Sequence, residues 1–565
     1  MVPMRVCAWD FLCALSHLTV RIFIFEGGNA NMRVLIIGEL LHTPAVVRAA
    51  GEAGVEPRFL SAAQAKRPGA ELPLEECSAV LAGDDHGGHG PLSAEALSGR
   101  GVLVAPLCGE NIAAGISTIS AGDTERLNAY FAYGGRENLR RGFLLLRLLA
   151  GEAAEEPAPP QTVPLDSIYT PEGRFYDSAQ AFFQGEGRRW PVYVGMLDYR
   201  SRWTTGDMQV SGCVADSLER RGIGVIRAYT SGSPDQELGT LSFEEAADRF
   251  FCLEGRSAVG LLINFQFYGA RAAEGEDMFQ RAADCFAGLD IPVIRPAGLA
   301  KKTVEQWRES PSPYAGELFS SFSVPELQGM IEPVHISCAG EELCHVPLPQ
   351  RVERLTGRVQ SWLRLRETPN RSKRVAIFLH NAPCSGVEAT VGQAAGLDAF
   401  ESTVAILRRL RREGYQVERI PADGAALKKQ IFDRKAYSDF RWTSAEDIAS
   451  SGGILYAMGA EEYESYYSAL SDTAKSQMEA AWGPPPGEAM VLDGKILITG
   501  ISFGAVAVLV QPKRGCFGAK CTGEVSRTKP WTPSWSPACW TRICAGGSRS
   551  RTPMPWKRRA GAFWS

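Results

Sequence analysis

The sequence predicts a multidomain α/β protein built from successive doubly wound units with parallel sheets. Short apolar runs alternate with amphipathic helical patterns through most of the chain, which is typical of βαβ units. At 565 residues the chain is too long for a single core, since domains average ~150 residues. One stretch, residues 374–415, combines an apolar run, a glycine-bearing connection and a capped helix. We therefore expect polar residues to gather at the carboxyl ends of parallel strands, where open α/β proteins bind ligands.

The composition is that of a globular protein, and it argues against some classes of partner and compartment. A net charge of -4 lacks the basic excess of nucleic-acid-binding proteins, so we expect no nucleic acid. The 14 cysteines lack the paired CxxC spacing of a zinc ribbon, which favours reduced thiols in a cytoplasmic protein. No apolar run of about 18 or more residues follows the N-terminus, so we expect no membrane span.

Residues 1–31 differ from the rest of the chain. Their apolar stretch, Phe11–Val20, is followed by Arg21 and by no A-x-A cleavage site, unlike a signal peptide. Met32 opens an apolar run typical of the first strand of an α/β domain, and Glu26-Gly27-Gly28 can be encoded by a purine-rich ribosome-binding sequence. We predict that translation starts at Met32 and that residues 1–31 are a leader outside the native protein.

Residues 32–150 are predicted to form an N-terminal α/β domain. Its strands are expected at 34–38, 79–82 and 102–105, with a helix at 45–53. The tract Asp84-Asp85-His86-Gly87-Gly88-His89 has metal-binding residue types, but we favour a solvated turn for a loop of this composition. Residues 151–190, which begin with a segment rich in Pro, Ala and Glu, are predicted to be a linker.

Residues 191–345 are predicted to form a doubly wound α/β domain. Strands at 192–197, 223–228, 259–265 and 291–294 alternate with helices at 206–221, 243–251 and 277–286. The loop after the first strand carries Tyr199, Arg200 and Arg202. Its arginines could hold a carboxylate in bidentate geometry, although loop arginines more often pair with neighbouring acids.

Residues 346–525 open with a charged helix at 350–366 and continue into the stretch at 374–415. Val375–Leu379 is an unbroken apolar run, which favours a strand buried on both faces. His380 and Asn381 follow it, and the next connection contains the glycines Gly386, Gly392 and Gly396.

A helix is predicted to begin after Asp398. Asp398 stands three residues ahead of Glu401, which predicts a capping box. Four residues at helical spacing give this helix one apolar stripe: Phe400, Val404, Leu407 and Leu410.

The rest of the chain contains a helix, a hairpin and a final strand. A helix is predicted at 463–482, with its tyrosines in the core, and a strand at 501–511. Asp493-Gly494, between 490–492 and 495–499, predicts a type I′ hairpin. Residues 526–565 have no Asp or Glu and many tryptophans. Such a tail could be a nucleic-acid arm, but we favour a shifted reading frame near Val525 and a disordered tail.

A series of short motifs runs from the first domain to the last. They are Tyr133-Gly134-Gly135-Arg136-Glu137-Asn138, Tyr199-Arg200-Ser201, Pro325-Glu326 with Gly329 and Glu332-Pro333, Leu379-His380-Asn381, Gly392 with Ala394-Ala395-Gly396-Leu397-Asp398 and Glu401-Ser402, Trp482-Gly483-Pro484-Pro485-Pro486-Gly487, and Gln511-Pro512-Lys513-Arg514-Gly515. Their order and spacing over residues 32–525 resemble the N-terminal part of the large subunit of cobaltochelatase, the CobN-like family, which is related to the magnesium chelatase H subunit.

The resemblance implies ATP-dependent insertion of a divalent metal into a tetrapyrrole. In this family the large subunit binds the macrocycle and separate AAA+ subunits hydrolyse ATP, and the chain itself has no G-x-x-x-x-G-K-[ST] loop. The implied reaction places Co²⁺ in a corrin precursor of the hydrogenobyrinic acid a,c-diamide type, in cobalamin biosynthesis. Family members continue well beyond the Gln511-Pro512 motif, so the resemblance predicts a truncated chelatase core that is inactive alone.

Metal insertion strips water from a hydrated cation and removes two pyrrole protons, which are tasks for carboxylates and imidazoles. We predict His380, Glu401 and Asp398 as the catalytic residues. Each also has a structural explanation: the two acids as a helix cap, and the histidine as a strand-end residue bonded to backbone. The predicted binding residues are Asn381, Gly392, Gly396, Tyr199 and Arg200, and no metal ligand is assigned.

Two other functions remain open from the sequence. One is a magnesium chelatase H-type subunit, which would insert Mg²⁺ into protoporphyrin IX. The other is a tetrapyrrole- or partner-binding module without catalytic activity. Titration with a corrin precursor and with protoporphyrin distinguishes cobaltochelatase from magnesium chelatase by which macrocycle binds more tightly. Macrocycle binding without metal insertion would favour the binding module.

Overall fold

A computed structural model describes most of the chain, and the described residues form two compact units. The described residues are 32–37, 43–60, 74–83, 103–107, 118–152, 154–232, 239–266, 277–299, 302–310, 318–340, 344–381, 390–438, 443–487, 489–512, 516–517 and 520–521. Unit 1 extends to Arg364 and unit 2 begins at Leu365. The predicted leader 1–31, the Asp- and His-rich tract at 84–89, Gly386 and the tail 526–565 lie outside the described residues.

Four parallel strands form the first sheet of unit 1. They are β1 (Met32–Ile37), β2 (Val55–Leu60), β3 (Ala79–Gly83) and β4 (Leu103–Leu107), in the order β2-β1-β3-β4. The accompanying helices are α1 (Pro44–Glu52), α2 (Ala121–Tyr133), α3 (Arg136–Leu149) and the 3₁₀ turn Leu74–Glu76. Val34 and Ile36 pack with these α-helices, whereas Leu35 and Ile37 belong to a second cluster. Both faces of β1 are therefore covered, as expected for an inner parallel strand.

A six-stranded sheet forms the centre of unit 1. Its strands are β5 (Ser167–Tyr169), β6 (Phe175–Tyr176), β7 (Tyr193–Tyr199), β8 (Gly224–Thr230), β11 (Leu261–Asn264) and β12 (Val293–Ile294), and a separate hairpin comprises β9 (Cys252–Leu253) and β10 (Arg256–Ser257). The helices are α4 (Ala179–Glu186), α5 (Arg200–Thr205), α6 (Gln209–Glu219), α7 (Phe243–Phe251) and α8 (Met278–Leu289).

The strand order β12-β11-β7-β8-β5-β6 confirms the predicted doubly wound fold for this sheet. The four strands from β12 to β8 are parallel. Tyr193 and Leu197 of β7 share a core cluster with α7 and α8, and Val194 and Met196 share another with α6. Helices therefore cover the two faces of one parallel sheet, which brings the carboxyl ends of its strands to a common edge.

The structure differs from the predicted linker at 151–190. Within it, β5, β6 and α4 are ordered elements, and β5 pairs antiparallel with both β6 and β8. The preceding segment is also anchored, because the Asn138 Nδ2 donates to the Gln161 carbonyl over 2.8 Å and the Tyr130 hydroxyl donates to the Ala158 carbonyl. Strands of two and three residues are too short to show a period in sequence, which is why composition alone suggested a linker.

Unit 1 ends with a small sheet and a long helix. The remaining elements are β13 (Ala297–Gly298), β14 (His335–Ala339), β15 (His345–Pro347), α9 (Val304–Glu309), the π-helical turn Phe319–Ser323, α10 (Val324–Leu327) and α11 (Pro349–Glu367). The strand order is β13-β14-β15. The predicted charged helix at 350–366 is α11, and its residues Val352, Leu355 and Val359 pack with α6 and the six-stranded sheet.

Unit 2 contains two three-stranded sheets and five α-helices among its described residues. The strands are β16 (Val375–Leu379), β17 (Ile454–Met458), β18 (Val491–Leu492), β19 (Lys495–Thr499), β20 (Ile501–Phe503), β21 (Val506–Val510) and the short pair β22 (Cys516–Phe517) and β23 (Lys520–Cys521). The helices are α12 (Ala399–Arg412), α13 (Gly424–Asp433), α14 (Ala445–Ser450), α15 (Ala460–Tyr467) and α16 (Asp472–Trp482), with a 3₁₀ turn at Asn370–Ser372. Among the helices described in the two units, none is long and apolar enough to cross a membrane.

The two sheets of unit 2 have the orders β16-β21-β20 and β17-β19-β18. Strands β16 and β21 are parallel, and β20 pairs antiparallel with β21. Alternate residues of β16 contact two different clusters, but of the five only Leu379 is fully buried. The predicted burial on both faces is therefore incomplete, since β16 pairs with β21 alone among the described strands.

Two elements predicted as continuous are broken in the structure. The predicted helix 463–482 is two helices, because the Ser471 hydroxyl accepts a hydrogen bond from the Ala474 N–H (3.3 Å) and starts α16. The predicted strand 501–511 is a hairpin, β20 and β21, that turns at Gly504 with φ +77°. Tyr463 and Tyr467 are buried, as predicted for the core.

The predicted type I′ hairpin is confirmed. Leu492 pairs with Lys495, so two residues connect β18 and β19. Both of them have positive φ, 47° for Asp493 and 69° for Gly494, which is the backbone signature of this turn.

Candidate functional site

The parallel pair β16 and β21 places two polar residues side by side in unit 2. Leu379 pairs with Val510 at the carboxyl ends of the strands, and the Gln511 N–H donates to the Leu379 carbonyl (2.9 Å). His380 and Gln511 are the next residues of their strands, and His380 Nδ1 lies 3.0 Å from Gln511 Oε1. The residues that the sequence separates by 131 positions thus meet at one edge of the sheet.

The contact with Gln511 defines which nitrogen of His380 is reactive. An amide oxygen can only accept a hydrogen bond, so the imidazole must carry its proton on Nδ1. The lone pair is then on Nε2, on a side chain that is exposed. A neutral imidazole held in this tautomer can accept a proton or bind a divalent cation through Nε2.

Asn381 lies beneath this edge and has an unfilled hydrogen-bond donor. It is 1 % exposed, and its Oδ1 accepts from the Thr390 hydroxyl over 2.7 Å. Its Nδ2 has no hydrogen-bond partner among the described residues. Since buried amide groups are almost always paired, this donor is available to a group that the described residues do not provide.

Backbone contacts hold residues 390–392 next to His380 and Asn381. Asn381 forms an isolated antiparallel bridge with Val391, and the Gly392 N–H donates to the His380 carbonyl over 2.7 Å. Gly392 has φ +72°, and a Cβ there would lie 2.9 Å from the Phe400 ring, so a larger residue would not fit without movement. Gly396 also has positive φ, +69°, but no atom lies within 4 Å of its hypothetical Cβ.

The predicted capping box between Asp398 and Glu401 is wrong. Asp398 does cap α12, because its Oδ1 accepts from the Phe400 and Glu401 N–H groups. The Glu401 carboxylate instead accepts the N–H of Gly424, at the start of α13, over 2.6 Å. The two helices approach so closely at Gly424 that the acceptor for its N–H comes from the neighbouring helix.

Tyr199 and Arg200, the other predicted binding residues, belong to unit 1. Arg200 donates from Nε to the Pro164 carbonyl (3.0 Å) and from Nη2 to the Tyr133 carbonyl (3.4 Å). Burial lowers the pKa of Arg200. The Tyr199 ring packs against Gly232, where a Cβ would lie 2.6 Å from it. These contacts give both residues a structural function in the described part of the chain, and a ligand-binding role stays a prediction.

Most of the chain is similar in sequence to one protein family. The sequence model of the CobN/Magnesium Chelatase family matches residues 128–529. This range includes both strands of the polar edge and all the predicted site residues. The chain belongs to the CobN/magnesium chelatase family.

Individual members of the family are similar at low identity. The aerobic cobaltochelatase subunit CobN of Sinorhizobium sp. is 27 % identical over 421 residues, which cover 71 % of this chain and 31 % of that protein. The chloroplastic magnesium-chelatase subunit ChlH of Oryza sativa subsp. indica is 27 % identical over 332 residues, covering 58 % of this chain and 22 % of its own length. The chain spans about a third of the length of the first curated relatives.

A solved structure supports the fold. The catalytic subunit of cobaltochelatase from Mycobacterium tuberculosis matches with a TM-score of 0.62 and 22 % identity, over 86 % of this chain and 39 % of that one. At this identity the match concerns the fold. It agrees with the predicted multidomain α/β architecture of this member of the CobN/magnesium chelatase family.

Sequence reasoning missed Gln511 and Thr390 as site residues. Gln511 stood in one of the motifs that carried the resemblance, and Thr390 in none, yet each bonds directly to a predicted site residue. A signal for Gln511 was present in the sequence: it follows an apolar run directly, just as His380 follows the apolar run Val375–Leu379. Within the described residues, no group of three or more His, Cys, Asp or Glu side chains could hold a metal ion.

Proposed function

We propose that this chain is the macrocycle-binding part of the large subunit of an ATP-dependent cobaltochelatase. The observation that supports it most directly is the meeting of His380 with Gln511, from two motifs far apart in sequence, at the carboxyl edge of a parallel pair. This edge is where α/β proteins bind ligands. The match to the Sinorhizobium CobN covers more of the chain than the match to the rice ChlH, which favours cobalt.

The proposed reaction places Co²⁺, as a substrate, in a corrin precursor of the hydrogenobyrinic acid a,c-diamide type. Two pyrrole N–H protons must leave while the cation loses its water ligands. In this proposal His380 Nε2 accepts a pyrrole proton or holds the incoming cation, and Gln511 orients the ring by accepting from Nδ1. Separate AAA+ subunits hydrolyse ATP, and the assembly works in the cytoplasm.

The buried amide of Asn381 has a different part in the proposal. Its free Nδ2 donor lies one residue from His380 and suits an oxygen acceptor, such as a carboxylate or amide on the rim of the macrocycle. Gly392 and Gly396 act through the backbone, since the first brings its N–H to the His380 carbonyl and both need positive φ. Macrocycle binding at Tyr199 and Arg200 is proposed on the motif alone.

Asp398 and Glu401 remain catalytic candidates, but each also has a structural role. Both carboxylates accept backbone N–H groups at helix starts, which explains their presence without chemistry. Glu401 is half exposed, with 50 % of its side chain accessible, so a second partner could still reach it.

Two alternatives are supported by specific observations. A magnesium chelatase H-type subunit acting on protoporphyrin IX is supported by the rice ChlH match, at the same 27 % identity as the CobN match. A binding module without catalytic activity is compatible with the Nδ2 donor of Asn381, unpaired among the described residues, which can bind a ligand without taking part in chemistry.

An absorbance titration of the full chain tests the proposal and separates the alternatives. A corrin precursor and protoporphyrin IX are titrated separately, and we expect saturable binding with a preference for the corrin precursor. A preference for protoporphyrin would favour magnesium, and binding of neither would contradict both. Addition of Co²⁺, ATP and the AAA+ subunits to the bound complex then shows whether metal enters the ring. Saturable binding without insertion would leave the chain as a binding module.

A further inference from the structure

A second polar edge lies in unit 1, at the carboxyl ends of the six-stranded sheet. Asp198, Thr230 and Asn264 stand at or near the ends of β7, β8 and β11, and each is at most 2 % exposed. Gln266 joins these strands, because its Nε2 donates to the Asp198 carbonyl (3.0 Å) and to the Thr230 hydroxyl (2.6 Å). Arg295 directly follows β12 at the same edge.

Arg295 is a partly buried cation with an unfilled donor. Its Nη1 donates to the carbonyl of Pro296 over 3.0 Å, and its Nε is buried with no hydrogen-bond partner in the described part of the chain. No described carboxylate forms an ion pair with it. Burial, and next the charge of Arg202, lower the pKa of Arg295 to about 10. An arginine in such a place is costly unless an anion accompanies it.

Arg202 adds a second positive charge close to the first. Its Nη1 lies 3.5 Å from Asp198 Oδ1, and 23 % of its side chain is exposed. Burial raises the pKa of Asp198 in spite of Arg202, so this carboxylate is not strongly compensated by the pair. One loosely held aspartate therefore faces two guanidinium groups.

A further carboxylate near Asp198, that of Asp207, already has a partner. Asp207 accepts the His345 N–H at Oδ1 (2.8 Å) and lies 2.6 Å from His345 Nδ1 through Oδ2. Both of its oxygens are thus engaged, and it forms no ion pair with either arginine among the described residues. Asp198 therefore acts on both Arg295 and Arg202, and one carboxylate only partly balances the two positive charges at this edge.

We propose that this edge binds the oxyanion of a small molecule, a carboxylate or a phosphate, with Arg295 as the anchoring cation and Arg202 as its second contact. Guanidinium groups match planar and tetrahedral oxyanions through paired N–H donors. The position at the carboxyl ends of parallel strands is the one at which doubly wound sheets bind ligands. The proposal is independent of metal insertion, since it rests on unit 1 alone.

Thermal unfolding of the full chain tests this proposal. Wild type, Arg295→Gln and Arg202→Gln are heated in inorganic phosphate, in succinate and in sodium chloride of matched ionic strength. Arg189→Gln is the control, since this arginine is 70 % exposed and its Nη2 lies 3.5 Å from its ion-pair partner, Glu186 Oε2. We expect phosphate or succinate to raise the unfolding midpoint of wild type and Arg189→Gln by several degrees above chloride. The anion that protects identifies the ligand class.

The two edge variants distinguish a binding role from a structural one. We expect Arg295→Gln to lose the protection and, without ligand, to unfold at or above the wild-type midpoint, because a partly buried charge that is only partly balanced has been removed. Arg202→Gln, at a partly exposed position, should retain the fold and bind the anion about tenfold more weakly. Equal protection of Arg295→Gln and wild type, or no protection of wild type beyond chloride, would overturn the proposal. A strongly lowered midpoint of ligand-free Arg295→Gln would also overturn it, because the residue would then be structural.

Discussion

At the scale of single residues, the contacts of a polar side chain decide whether its reactive atom is available for chemistry. His380 is oriented by Gln511 and presents Nε2, whereas Glu401 is directed at a helix start by the Gly424 N–H. Both were predicted as catalytic on residue type and motif. Type and spacing cannot separate these functions, because the partner of each side chain comes from a distant part of the chain.

Substitutions of Glu401 test whether its carboxylate has a catalytic role or only a structural one. Glu401→Gln retains an oxygen that can accept the Gly424 N–H, so we expect nearly wild-type stability. Glu401→Ala removes the acceptor and should lower the free energy of unfolding by about 1 kcal/mol. Urea unfolding measures both variants. If Glu401→Gln keeps its stability but loses metal insertion in the reconstituted complex, the carboxylate is catalytic and the purely structural account fails.

At the scale of elements, the packing of α12 on α13 fixes the geometry around the candidate site. The close approach occurs at Gly424, where a Cβ would lie 2.5 Å from the Glu401 nitrogen and 2.9 Å from its Cα. Backbone atoms cannot move aside as a flexible side chain can. The close contact between the two helices therefore requires glycine at position 424. The start of a helix alone would accept other residues there.

Gly424→Ala tests this contact. We expect the substitution to push α12 and α13 apart and to lower the free energy of unfolding of unit 2 by about 1–3 kcal/mol. Gly459→Ala is the matched control at another helix start in unit 2, because no atom lies within 4 Å of its hypothetical Cβ. Denaturant unfolding compares the two. An equal, small effect of both substitutions would show that the helices can separate without cost.

The sequence predicted elements well where one local signal was sufficient. The apolar run at β16, the stripe of α12 and the two-residue turn at Asp493-Gly494 are all observed. It failed where tertiary contacts decided: β5 is defined by its pairing with β8 and with β6, and Gly504 turns an apolar run into a hairpin. Boundaries set by a partner strand leave no trace in local composition.

At the scale of the whole molecule, two sheets in separate units each have a polar carboxyl edge. The sequence identified His380 and Asn381 at one edge and Tyr199 and Arg200 near the other, but the order of strands was needed to find Gln511 and Arg295. Strand order depends on crossovers over long sequence distances, which periodicity does not encode. The resemblance to the CobN-like family, by contrast, was carried by motif order and is confirmed by the family match.

The central claim is that the edge formed by His380, Asn381 and Gln511 holds the macrocycle. The most direct measurement is an equilibrium absorbance titration of the corrin precursor against the full chain, in wild type, His380→Ala, Gln511→Leu and the double variant. Glu446→Gln, an exposed residue in the first turn of α14, is the control. We expect each single variant to bind about tenfold more weakly, which corresponds to about 1.4 kcal/mol, and the double variant to bind no more weakly than either. Wild-type affinity in His380→Ala and Gln511→Leu, with unchanged unfolding midpoints, would contradict the claim.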